Sequence, residues 1–162
     1  MNLFVLFFLM LFPVAPDSEL LGIRAQFHEA IKEEKIAIQL EARLHVISDK
    51  TNLQQGYEGA TQLLLAKYAF LPNQKYQLFS KGKVKLENAI NKDRINPELI
   101  YLRYIIQMNC PSFLGYNNAL REDRNYLIRA VKSIEDKDLQ KRILVFLLSN
   151  SKLTSDERML LG

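Results

Sequence analysis

The chain has one cysteine, Cys110, among its 162 residues. That excludes an intramolecular disulfide and any metal site built from several thiolates. At a helix end beside Pro111, a lone Cys reads as a small buried hydrophobe. Glycine and proline are scarce, six and five respectively, so the connections between elements are expected to be short. Histidine is scarcer still: His28 and His45 stand alone. His28-Glu29 opens like a zinc-protease motif, but Lys32 occupies the place where the second ligand would fall. No Gly-rich phosphate loop and no Gly-x-Ser-x-Gly elbow occurs. Acidic pairs such as Glu33-Glu34 and Glu122-Asp123 lie in charge-mixed stretches that read as solvated helix faces. With no catalytic, metal-binding or cofactor motif, the sequence reads as that of a non-enzymatic protein. It also lacks sustained two-residue alternation, which argues against a sheet.

Charge of one sign is also in short supply. The formal charge is +4 with a pI of about 9.1, too weak a bias to imply a nucleic-acid partner. Hydrophobic residues make up 48% and charged residues 25%, a balance that permits a real core in one domain. The one long apolar run is Leu3 to Phe12, LFVLFFLMLF, which carries no charge. Its length suits the core of a signal peptide better than a bilayer span. No Lys or Arg precedes it, Ala15 and Ser18 are the candidate cleavage points, and every charged side chain follows Pro16. Residues 1–17 are expected to be a signal peptide, or an N-terminal membrane anchor if uncleaved. Residues 18–162 then form a single helical domain in the periplasm or cell envelope.

What the sequence does contain is helical spacing. The stretch from Asn96 to Cys110, NPELIYLRYIIQMNC, has a capping Asn96, Pro97 at the first helical position and Glu98 in the first turn. Cys110-Pro111 stops it. Leu99, Ile100, Tyr101, Leu102, Tyr104, Ile105, Ile106 and Met108 leave almost no polar face, so it is expected to be the central helix. Around it the apolar steps predict a first helix with Leu20, Ile23, Phe27 and Ile31, and a second with Ile36, Leu40, Leu44 and Ile47. A third has Tyr57, Ala60, Leu64, Tyr68 and Leu71 on one face and ends at Leu71-Pro72-Asn73. Its small Gly56, Gly59 and Ala60 predict a close helix–helix approach. The fourth, from about Gln74 to Lys92, buries Phe79, Gly82, Leu86, Ala89 and Ile90. After the central helix, PSFLGYNN is a compact connection in which Phe113 and Leu114 are expected to plug into the core and Gly115 to turn the chain. Helices with Leu120, Leu127, Ala130, Val131 and Ile134, and with Leu139, Ile143, Phe146 and Leu147, follow. Thr154 and Glu157 form a capping box for a last short helix.

Two features stand out as candidate binding groups. Arg103 interrupts the most apolar helix with Gln107 one turn further on. A guanidinium there needs an acidic partner, Asp123 or Glu87, and either fixes helix register or lines a groove for a carboxylate such as a peptide terminus. Between Lys75 and Arg94 the cations outnumber the acids six to two. Lys81, Lys85 and Lys92 fall near one face that is either simply solvated or meets phosphates.

The segment FSKGKVKLENAINKDRINPELIYLRY is similar to one tetratricopeptide repeat running into the next. Gly82 takes the small position, and Leu86 with Ala89-Ile90 take positions of the second helix. More broadly, GYEGA at 56–60, FSKGKVKLENAI at 79–90, NPELIYLR at 96–103 and NCPSFLGYNNALREDR at 109–124 resemble a family of small helical proteins exported by Bacteroidetes-type bacteria. The resemblance implies an all-α fold of antiparallel hairpins, a TPR-like right-handed array of seven to eight short helices, together with export. The expected function is a protein or peptide interaction module, with a membrane-surface or anion-binding protein using the basic face as the alternative.

Overall fold

The computed structural model describes residues 18–150 and 153–162, so the apolar run at the start of the chain lies outside the described residues. Among them the fold is all-α, with eight α-helices and no strand: α1 (Ser18–Ala30), α2 (Glu34–His45), α3 (Asn52–Tyr68), α4 (Pro72–Lys92), α5 (Pro97–Asn109), α6 (Leu120–Ala130), α7 (Lys137–Asn150) and α8 (Ser155–Leu161). Successive helices pack as pairs, α1 on α2, α3 on α4 and α5 on α6, while α3 also touches α1, α2 and α5. No described helix is long and apolar enough to cross a membrane.

The helix starts follow from local chemistry. The side chain of Asn96 accepts hydrogen bonds from the backbone N–H of Glu98 and Leu99 at 3.0 and 3.2 Å. These satisfy two of the orphan donors at the start of α5. Thr51 with Gln54 and Thr154 with Glu157 form capping boxes that open α3 and α8. The boundary between α3 and α4 differs from the expected one. α3 stops at Tyr68, and Leu71 is the N-cap of α4 because Pro72 fits the first helical position. Leu71 is consequently exposed rather than on the buried face of α3.

The core runs through every helix, from Ile23 and Phe27 in α1 to Ile143 and Leu147 in α7. α5 is buried nearly all round, yet α3 shares the central position. Most of its residues from Gln54 to Leu64 are buried, including the polar Glu58, Thr61 and Gln62. Glycine makes this possible. A Cβ on Gly59 would lie 2.6 Å from the backbone nitrogen of Leu86, and one on Gly82 would lie 2.6 Å from the carbonyl oxygen of Gly59. The backbones of α3 and α4 therefore meet directly at this crossing.

The connection after α5 departs from expectation. Phe113 and Leu114 form a 3-10 turn that faces solvent, with Phe113 85% exposed. Tyr116 fills the core instead, its ring edge-on to Phe79 and its hydroxyl donating to Glu87 Oε1 at 2.6 Å. Gly115 turns the chain with φ of 61°, the left-handed region that glycine enters without penalty.

Candidate functional site

A groove of about 660 Å³ opens where α1, α5 and α7 come together. Its apolar and aromatic lining comes from Ile31, Tyr101, Met108, Val145 and Phe146. The rings interlock: Tyr101 and Tyr104 both meet Phe146 edge-on, at centroid distances of 5.5 and 5.9 Å, and His28 lies 5.8 Å from Tyr101. Such aromatic pairs hold one another in fixed orientations. The Tyr101 hydroxyl donates to the carbonyl of Arg142 at 3.3 Å and so ties α5 to α7.

The same groove is also lined by Lys32, Lys141, Arg142 and Asp138. Asp138 accepts from Arg142 Nε at 2.8 Å, one turn away on α7. Lys32 and Lys141 make no ion pair among the described residues, so the groove has an excess of positive charge. His28 responds to this setting. Burial, reinforced by the charge of Arg142, lowers its pKa to about 4, so it is a neutral imidazole near pH 7.

The residues singled out in the sequence lie elsewhere. Arg103 is engaged at all three guanidinium nitrogens: Nε and Nη2 donate to Asp123 at 2.7 Å each, and Nη1 donates to Glu87 at 2.9 Å. Arg103 and Gln107 line none of the described depressions. Gln107 is only 2% exposed, and neither of its amide atoms has a hydrogen-bond partner among the described residues. Lys85 is drawn to Glu58 of α3 at 2.9 Å, and Lys92 donates to Gln55 at 3.4 Å. Of that trio only Lys81 has no ion pair or hydrogen bond among the described residues, and it stands beside a shallow depression with Gln62, Val84 and Asn88. Among the described residues no group of three or more His, Cys, Asp or Glu side chains is arranged to hold a metal ion.

Sequence reasoning passed over Arg24. It is 2% exposed and forms a fork with Glu98, Nε to Oε1 and Nη2 to Oε2, both at 2.6 Å. Nη1 reaches Asp136 at 2.7 Å, and Tyr57 donates to Glu98 at 2.6 Å. The signal was present: Arg24 stands four residues after Leu20 and three before Phe27, inside the apolar stripe. Comparison with family models, with characterised proteins and with solved structures finds no match. Fold and site together define an all-helical protein with a mixed aromatic and cationic groove among α1, α5 and α7.

Proposed function

We propose that the protein is a non-enzymatic helical interaction module of the bacterial cell envelope, and that it holds a segment of a partner polypeptide in the groove among α1, α5 and α7. One observation carries the reading: the groove combines an aromatic and apolar lining with lysines that have no ion-pair partner among the described residues. A polypeptide segment offers both chemistries at once, side chains to bury and carboxylates to pair. The pairwise packing of successive helices is compatible with a TPR-like array. Export rests on the apolar run Leu3 to Phe12.

The test is selection of a random peptide library on the full chain, with Val145→Glu as the counter-target. Val145 is 53% exposed, so the substitution blocks the groove without disturbing the core. Peptides retained by the native chain and lost on Val145→Glu are expected. They should also perturb the His28 imidazole signals in NMR spectra. Retention that Val145→Glu leaves unchanged would place binding outside the groove and sink this reading.

A further inference from the structure

We propose that the tip of the α3–α4 hairpin is a docking element for an anionic lipid bilayer, entering the headgroup region with Phe70 at its apex. This inference is independent of the groove. Residues 70–77 are all exposed, an uninterrupted run that covers the turn and the first part of α4. The apex is apolar where water should meet polar groups: Phe70 is 93% exposed, Leu71 46% and Tyr76 72%. Large apolar side chains gathered at one exposed turn mark an interaction surface rather than leftover core.

The charge on the hairpin's own segment has one sign. Between Glu58 and Glu87 the chain holds five lysines, Lys67, Lys75, Lys81, Lys83 and Lys85, and no acidic residue. Lys67 and Lys75 flank the apex and make no ion pair among the described residues, Lys67 lying over the ring of Tyr68. The neighbouring α1–α2 turn, tied to the tip through Tyr68 and the carbonyls of Ala30 and Ile31, carries Lys32, Glu33, Glu34 and Lys35, whose charges cancel. An apolar apex, an aromatic at its shoulder and lysines behind is the depth order of a surface-bound membrane element. The lysines complement the negative potential of anionic lipid headgroups. Phosphate recognition on a nucleic acid would use the lysines but leave Leu71 without a role.

The rigid link to the body makes the geometry testable. α4 has 21 residues, so Ile95 just beyond its end sits about 30 Å from the apex. The chain contains no tryptophan, so Phe70→Trp and Ile95→Trp each install a single reporter at an exposed position, one at the apex and one at the far end. The test uses the full chain and mixed phosphatidylcholine–phosphatidylserine vesicles. Indole emission from the Phe70→Trp variant should shift to the blue and be quenched by brominated acyl chains. The Ile95→Trp variant should show neither effect. Lys67→Glu/Lys75→Glu in the Phe70→Trp background should weaken the response more than about tenfold, as should high salt. Equal quenching of the apex and far-end reporters would mean attachment by another part of the chain and would overturn the proposal. So would an unchanged apex spectrum, or an apex response to an oligonucleotide with none to vesicles. Helical circular dichroism of each variant confirms that the reporters sit in the folded protein.

Discussion

Arg24 and Arg103 meet the same physical requirement in two places. Each guanidinium is taken out of water, each receives a two-point carboxylate contact from another helix, and each cluster ends on a tyrosine hydroxyl. Such an arrangement is costly to break and cheap to replace whole, because breaking it strands a buried charge. Glu98→Gln should therefore destabilise the fold by about 3–5 kcal/mol in urea unfolding near neutral pH. The apolar triple Arg24→Met/Glu98→Met/Tyr57→Phe should recover at least half of that loss. His28 supplies a pH signature. Its folded pKa of about 4 lies below the unfolded value of 6.5, so between those limits the unfolded chain binds the proton and the folded chain does not. Stability should fall as pH drops from 6.5 towards 4, by on the order of 2 kcal/mol, and the dependence from this group should level off below. His28→Leu should flatten that window, which urea midpoints at several pH values would register. Arg103 was legible as a partly buried cation because its helix is apolar nearly all round. Arg24 was legible only from its place in the stripe between Leu20 and Phe27, a weaker signal because polar neighbours on α1 surround it.

At the scale of elements, apolar periodicity located the helices, and small residues located the tightest contact. Gly56, Gly59 and Ala60 were legible as close-approach positions and Gly82 as a buried one, and the α3–α4 crossing uses Gly59 against Gly82. Gly82→Ala should cost about 2–3 kcal/mol, measured by chemical denaturation. The new methyl meets backbone atoms, which cannot swing aside as a side chain does. The reverse holds at the connection after α5. Hydrophobicity alone placed Phe113 and Leu114 in the core, but the 3-10 turn points them outward and hands the core position to Tyr116. Phe113→Ser should consequently change stability by no more than about 0.5 kcal/mol, as exposed substitutions do. Turn geometry of this kind depends on what the neighbouring helices leave room for, and local sequence does not carry that information.

At the scale of the molecule, what matters is that α1 is joined directly to the start of α7. In an open helical array each unit touches only its neighbours, and stability is a sum of local terms. Here Arg24 of α1 also bonds Asp136, at the start of α7, and the groove walls come from α1, α5 and α7 together. Contacts between helices so distant in sequence leave no local periodic trace, which is why the groove was not legible while its component helices were. The same link makes a prediction about cooperativity. Burial alone would raise the pKa of Asp136, but bonds from the Leu139 N–H and from Arg24 outweigh it and hold the carboxyl below its usual range, so it is charged near pH 7. Asp136→Asn removes that charge while leaving the Arg24–Glu98 fork in place. If the link holds α7 to α1, amide protection measured by native-state hydrogen exchange should fall in α7 and α8 and persist in α3 and α5. Circular dichroism and tyrosine fluorescence should report coincident urea transitions for the native chain and separate ones for the variant. An even loss of protection across all helices would mean that α1 and α7 are coupled through the shared core, and that the Arg24–Asp136 bond adds nothing to cooperativity.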